Sequence, residues 1–343
     1  MSRALAAVTA PARVSAKHQS LLHFVGQAPW SDEALLARVG DLVLPLIERH
    51  GPIEAWIGRL LKQGFHHRRA SCGATVNDHS NGKSLESELK GQSRTAGLKG
   101  VNVPDLHYEH PALAGLYDLD SGWSIDRDFY LGLAAGEPKR ILDLGCGTGL
   151  LCDAYASFGH QVTGVDPANA MLEVAKTKPY GSHVEWVESS AQLFRSDKRS
   201  DLIIMTGNAF QVFLADEDIL AVFETMRFHL AQNGQVAFET RNPAIDWPTR
   251  WDKDAELTLG EQTIYQSRHV SKRGGDRISF ETRFKFPDKE LVSFSELRFL
   301  SKSEIEEWLL KCGLKPKAVY GGWHGQPSDE ANSDDIVFVI EAV

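Results

Sequence analysis

The sequence predicts an α/β protein built on an open, mostly parallel sheet with helices on both faces. Three observations predict it. Arg140-Ile-Leu-Asp-Leu-Gly-Cys-Gly-Thr-Gly149 reads as a strand, a tight glycine turn and the start of a helix. Gln161-Val-Thr-Gly-Val-Asp166 is a second strand that ends in an acid, at the offset of about 20 residues at which a dinucleotide-type fold places its ribose ligand. Strand-type and helix-type segments then alternate along the chain, which favours parallel pairing.

The glycine turn carries the most information. Gly145 and Gly147 remove the Cβ atoms that would keep a ligand away from the backbone. The helix that follows offers unpaired N–H groups to a polar ligand. The nicotinamide fingerprint is G-x-G-x-x-G, but here the third glycine comes one residue early, and Leu150 stands where the fingerprint wants glycine. Asp143, just before the turn, would repel a pyrophosphate and could hold a cationic amino group. A ligand with an amino-acid end and a ribose fits this pattern better than one with a diphosphate.

On these residues, Leu142-Asp-Leu-Gly-Cys-Gly-Thr-Gly149 resembles motif I of the class I S-adenosylmethionine (SAM) methyltransferases, and Val165-Asp166-Pro167 resembles their motif II. The resemblance covers residues 105–343. It implies a Rossmann-like fold with a seven-stranded, mostly parallel sheet, and SAM as cofactor. Carried over position by position, it assigns cofactor contacts to Asp143, Gly145, Cys146, Gly147, Gly149, Asp166, Pro167, Met171, Ser190, Ala191 and Thr206. Adenine would lie between Met171 and the loop Ser189-Ser-Ala-Gln192. Many family members carry Gly-Asp where this chain has Ser189-Ser190, so the adenine amino group would be met by Ser190 or by backbone.

Composition bounds the rest. Hydrophobic residues make up 42% and charged residues 24% of the 343, as in ordinary globular proteins. No apolar run approaches the ~20 residues that span a bilayer, and the N-terminus lacks a secretory apolar region. Cys72, Cys146, Cys152 and Cys312 lack metal-type spacing and read as reduced thiols of a cytoplasmic protein. Charge is uneven. Residues 1–104 hold 13 Lys+Arg against 8 Asp+Glu, and the rest hold 24 against 38. So acidic a domain argues against a nucleic-acid substrate.

In chain order, Leu35, Leu36, Val39, Leu42, Val43, Leu46 and Ile47 form one helical face after Ser31-Asp-Glu33. The stretch from Ala10 to Ile57 resembles the N-terminal region of insertion-sequence DDE transposases, and the likeness stops before that family's catalytic aspartates. Residues 1–60 are therefore read as a remnant without transposase chemistry. Residues 61–104 read as a polar linker, in which His66, His67, His79 and Cys72 match no zinc spacing. Helices are expected at 110–118 and 124–133. In the methyltransferase family this segment covers the cofactor and shapes the substrate mouth, and Tyr117 and Tyr130 each combine a ring with a hydroxyl there.

After Asp166 the pattern gives a helix at 168–176, strands at 183–188 and 200–205, a helix at 216–230 closed by Asn233-Gly234, and a fifth strand, Val236–Thr240. From Leu257 to Phe299 the residues alternate with period two in three runs. They are expected to form an antiparallel insertion, read as a lid. A helix at 301–311 with Ser301 as cap and Gly313 as stop, then a closing hairpin (315–320 and 335–341), complete the domain.

The segment Thr206-Gly-Asn-Ala-Phe210 stands where the family's methyl group meets its acceptor. It has no proline, unlike the Asn/Asp-Pro-Pro-aromatic stretch of enzymes that methylate base or glutamine amines, and it resembles small-molecule methyltransferases. Methyl transfer from a sulfonium needs alignment more than acid–base help. Catalytic candidates are therefore few: Asn208, Arg241 and Tyr117. Arg241 could clamp a substrate carboxylate, whereas Arg283 reads as a solvated strand face. His107, His110, His269 and His324 are base candidates that each read better as structural. The reading is a methyltransferase acting on a small-molecule acceptor. The alternative is a SAM-binding sensor or partner protein without turnover, which a pocket lacking polar groups would favour.

Overall fold

The computed structural model describes residues 104–343 apart from Glu261. The transposase-like reading of residues 10–57 and the linker reading of 61–104 fall outside the described residues except at Pro104.

Eleven strands form two sheets among the described residues. The larger has the order β10-β11-β5-β4-β1-β2-β3. β1 (Arg140–Leu144) sits centrally, with β2 (Gln161–Asp166) and β3 (Val184–Glu188) to one side and β4 (Ser200–Met205) and β5 (Leu230–Arg241) to the other. These five run parallel. β10 (Leu314–Tyr320) and β11 (Asp335–Ala342) close the edge as an antiparallel hairpin, with β11 antiparallel to β5. This is the expected seven-stranded topology.

Period-two alternation explains why both faces are covered. Leu142, Leu144, Ile203, Met205, Val236 and Phe238 face one core with Val222, Phe223 and Met226 of the helix Asp216–His229 and Ile305 and Leu309 of the helix Lys302–Lys311. Ile141, Val162, Leu202, Ile204 and Ala237 face the other, with Leu151, Cys152 and Tyr155 of the helix Leu150–Ser157 and Tyr130 of the helix Ile125–Leu133. Ser301 caps its helix as expected, in a reciprocal capping box with Glu304.

Three expectations need correction. The helix from Asp216 ends at His229, and Asn233 does not close it. Asn233 instead takes φ +63° within β5, where the pairing jumps from Ser200–Leu230 to Leu202–Gln235. Asparagine tolerates that left-handed position, so a turn signal served a bulge. The inserted sheet has four strands rather than three: β6 (Lys253–Leu259), β7 (Gln262–Gly274), β8 (Arg277–Lys285) and β9 (Glu290–Arg298). β6 is largely exposed, with only Leu257 buried, so it shows little apolar alternation. Among the described residues four short helices, not two, precede β1, starting with Leu106–Glu109.

Candidate active site

The C-terminal ends of the parallel strands meet in the glycine turn. The Gly145 and Cys146 N–H groups donate to the Val165 carbonyl at 2.7 and 3.1 Å, which ties the turn to β2. Gly145, Gly147 and Gly149 have φ of +78°, +55° and +72°, a region that penalises any side chain. Their roles differ. A Cβ on Gly147 would meet no heavy atom within 4 Å, so open space lies over its backbone. One on Gly149 would stand 2.5 Å from the Trp186 ring and 2.9 Å from Ala175. Gly147 is thus a cradle and Gly149 a packing glycine. Gly149→Ala is expected to cost about 3 kcal/mol of stability, from the left-handed backbone and overpacking together. Gly147→Ala should cost about 1 kcal/mol of stability and lose cofactor binding. Chemical denaturation and calorimetry on both variants check this.

Asp166 is buried at the end of β2. One of its oxygens accepts from the Gly147 N–H at 2.8 Å and the other from the Ala168 N–H at 2.9 Å. Burial pushes its pKa up to about 6, against those two hydrogen bonds. Each oxygen keeps a lone pair for a further donor.

Asp143 lies under the turn. Its Oδ2 accepts from the Cys152 thiol at 3.3 Å, while Oδ1 is buried with no partner. Burial raises its pKa to about 7. Glu239 on β5, which the sequence reading did not single out, is buried and raised to about 7 by the same cause. Both groups, with Asp166, bind protons more tightly in the fold than in the unfolded chain. Their contribution is therefore most favourable below pH ~4 and is lost as pH rises through about 6–7. Asp143→Asn is expected to raise the melting temperature of the ligand-free protein at pH 8 by about 5 °C or more and to change it little at pH 4. A melting series across that window checks it.

Cys146 turns its side chain toward β2, since a Cβ built on Gly164 would lie 3.1 Å from its sulfur. Burial lifts this thiol to about 11, so the residue presents backbone rather than a reactive group. Pro167 is half-buried and Ala191 buried. The Ser190 Oγ is buried without a partner. Met171 is buried against Ala114, Ala168, Tyr108 and Tyr117, so the segment ahead of β1 covers a position expected beside adenine. The cover is pinned to the glycine turn itself: Thr148 donates to Asp118, which also pairs with Lys178 at 2.5 Å.

Thr206 follows β4. Asn208 takes φ +59°, donates its N–H to Glu239 Oε1 at 2.6 Å, and leaves its own buried Oδ1 unpartnered. The other Glu239 oxygen accepts from the Tyr130 hydroxyl. Tyr130 is therefore a buried strut under the loop after β4 and not part of a substrate mouth. Phe210, expected beside the pocket, is core: it packs on Phe223 and Phe238 with ring centroids 5.3 and 4.8 Å apart.

Tyr117 does lie at the site. Its hydroxyl is 3.8 Å from where a Gly207 Cβ would be, and the Asp166 charge helps raise its pKa, after burial. Tyr108, which the sequence reading passed over, feels both the Asp166 and the Arg241 charges. Its ring lies 6.0 Å from that of Tyr117.

Arg241 ends β5. It donates to Gln211 Oε1 at 2.8 Å, and its guanidinium lies 5.0 and 5.7 Å from the rings of Trp251 and Trp247. Arg283 pairs with Glu281 on an exposed face, as expected. Among the histidines, His107 bonds Ser293 Oγ at 2.8 Å and is depressed to about 4 by burial and then by Arg268. His110 accepts from the Ala112 N–H, His269 lies 3.6 Å from Asp252 in an exposed pair, and His324 sits in an exposed loop.

The small sheet sits on this end of the large one. Leu113 and Leu116 of the covering helices pack on Leu257, Ile264, Phe284 and Phe286. Its base is fixed to the segment after β4: Arg277 and Arg298 donate to the Leu214 carbonyl, and Gln211 Nε2 to the Arg298 carbonyl.

Residues 141–234 match the model of a family described as a methyltransferase domain. The match lies wholly within the larger sheet's region and does not reach the transposase-like segment. A cypemycin N-terminal methyltransferase from a Streptomyces species is 24% identical over 59% of this chain and 83% of its own length. A ubiquinone biosynthesis O-methyltransferase from Saccharophagus degradans is 39% identical over 104 residues, where the chain spans 42% of that protein. Among solved structures, the CcbJ methyltransferase of Streptomyces caelestis superposes with TM-score 0.57 at 19% identity, over 69% of this chain and 98% of that one. SAM-bound CalS10, an amino pentose methyltransferase from Micromonospora echinaspora, gives 0.52 at 20% over 71% and 99%. The described residues hold a methyltransferase domain, and its cofactor is S-adenosylmethionine. The cradle over Gly147 and the unpartnered Asp143 Oδ1 suit a ligand that carries an amino-acid end.

Proposed function

We propose that this SAM-dependent methyltransferase acts on a small polar molecule held between the ends of β4 and β5 and the inner face of the four-stranded sheet. The observation that carries the reading is the set of buried polar atoms left without partners on the loop after β4 and on the inner face of the small sheet: Asn208 Oδ1, Gln266 Oε1 and Arg268 Nε. Leaving such atoms unsatisfied costs about 1–3 kcal/mol each. A set of this kind favours turnover on a polar acceptor over a SAM sensor with no second site. The relatives are named as a cypemycin N-terminal methyltransferase and a ubiquinone biosynthesis O-methyltransferase, and the acceptor atom in this reading is a nitrogen or an oxygen.

SAM supplies a methyl group on a sulfonium, whose departure leaves a neutral thioether and needs no acid. The chain's task is alignment and exclusion of water. In this reading Asp166 holds the ribose hydroxyls, the Gly147 backbone and Asp143 receive the amino-acid end, and Met171, Ser190 and Ala191 flank adenine. Pro167 shapes the turn after Asp166, while Gly145, Cys146, Gly149 and Thr206 shape the pocket through backbone. Tyr117 covers the pocket. Asn208 faces the acceptor, and Glu239 positions it through the 2.6 Å bond to its N–H. Because both Glu239 oxygens are engaged, we assign that carboxylate to positioning rather than to proton removal.

The test is release of S-adenosylhomocysteine by purified protein against a panel of small amines, phenols and hydroxy acids. Turnover on any of them supports the reading. Tight SAM binding with no release across the panel supports the sensor instead.

A further inference from the structure

The inner face of the small sheet is polar where an ordinary lid would be apolar. Ile264, Gln266, Arg268 and Val270 alternate inward along β7, while Tyr265 and His269 point out. Arg268 stands in register with Thr282 of β8, and Thr282 with Ser293 of β9. Both neighbours are buried. The Arg268 guanidinium lies 5.3 Å from the Phe280 ring, and its Nε is buried with no acceptor. Beside it, Gln266 is 7% exposed and its Oε1 has no donor.

Arg241 stands across from Arg268: its guanidinium lies 5.0 Å from the Trp251 ring, which packs at 5.3 Å on the same Phe280, and its only side-chain hydrogen bond among the described residues is to neutral Gln211. Neither arginine has a carboxylate within ion-pair distance among the described residues. The acids that act on Arg241 are Asp335, its cross-strand neighbour on β11, and Glu239. The two guanidiniums also sense each other, since the Arg268 charge helps depress Arg241 after burial. Two half-buried cations that form no ion pair are costly even with Asp335 and Glu239 acting on Arg241 from a distance, and a planar guanidinium is suited to a two-oxygen partner.

We propose that Arg241 and Arg268 form an oxyanion subsite, so that the methyl acceptor carries a carboxylate or a phosphate group. The proposal rests on the methyltransferase reading for the word acceptor, but the subsite itself does not depend on it. The anion would lie between β5 and β7, with Gln266 Oε1 beside it to meet a hydroxyl or amine donor on the same molecule. The acceptor would then be fixed at its charged end by the small sheet and at its reacting end by Asn208.

The full-length chain, saturated with S-adenosylhomocysteine, is titrated calorimetrically with inorganic phosphate and separately with malonate, at an ionic strength held constant with chloride. At least one of the two is expected to bind. Arg268→Gln should weaken that binding roughly tenfold or more, or about 1.4 kcal/mol. Arg268→Lys, which keeps the charge, should retain part of it. S-adenosylhomocysteine affinity should be the same in all three chains, which also shows that the variants are folded. Preference for phosphate identifies a phosphate ester and preference for malonate a carboxylate. If neither oxyanion binds the wild-type chain, or if Arg268→Gln binds as well as wild type, the subsite is overturned. If S-adenosylhomocysteine fails to bind while the oxyanion still binds in an Arg268-dependent way, the cofactor reading falls and the subsite stands.

Discussion

Removal of the four-stranded sheet is expected to lower methyl transfer by about a thousandfold or more while changing SAM binding by less than about tenfold. The excision that respects the fold joins Asp252 to Phe299 by a short linker, because β6 starts at Lys253 and β9 ends at Arg298. A cut inside that range would leave β6 with an unpaired edge. The large effect follows from what the sheet contributes. In the proposed reading it brings Gln266 and Arg268 to the acceptor, and it packs on Leu113 and Leu116 of the segment between Tyr108 and Tyr117. The cofactor's own contacts are assigned to the glycine turn, Asp166 and the β3–β4 side, none of which belongs to the excised sheet. Single-turnover rates and SAM affinity, measured on the same preparation with an acceptor found in the screen, separate the two effects. If the rate survives and the protein changes oligomeric state, the sheet is an interface and not a lid.

Asp166→Ala is expected to weaken SAM binding at least tenfold, about 1.4 kcal/mol, from the loss of charge-assisted bonds to the ribose. The geometry adds a second cost. The carboxylate also receives the Gly147 and Ala168 N–H groups, so alanine strands two donors and loosens the turn that should receive the amino-acid end. Loss of stability of about 1–3 kcal/mol should accompany the loss of affinity. Asp166→Asn keeps the shape and an acceptor oxygen but turns one oxygen into a donor facing an N–H. It should fall between alanine and wild type. Calorimetric titration of SAM, with a melting curve for each variant, decides the matter. Unchanged affinity in a folded Asp166→Ala protein would falsify the ribose assignment.

The truncation experiment bears on the domain reading. A chain beginning near Val101 is expected to keep SAM binding and melting temperature, since the charge shift and the methyltransferase match both place the working domain after it. Unfolding of the shortened chain would show that the first hundred residues contribute to the fold.

The local sequence determined the parallel sheet, its order of elements and its glycine turn. The reason is that these are periodic or steric properties. Ile141, Leu142 and Leu144 alternate as a strand must, and residues at positive φ must be glycine or nearly so. The acid ending β2 and the capping box at Ser301 are equally local. Tertiary structure alone decided what the remaining side chains do. Asp143 and Cys146 belong to one motif, yet Asp143 lies beneath the turn with one oxygen against Cys152 and the other unpartnered, while the Cys146 side chain faces Gly164. Phe210 and Tyr130 look alike as candidates in sequence, and both went inward, one to the core and one to Glu239. Glu239 itself, Tyr108 and Arg268 carried no motif. Their importance comes from long-range placement: Asn208 and Glu239 stand 31 positions apart in the chain and are joined by one hydrogen bond in space. Periodicity says which face a residue occupies, but it does not say what another segment, folded back from far along the chain, will set against it.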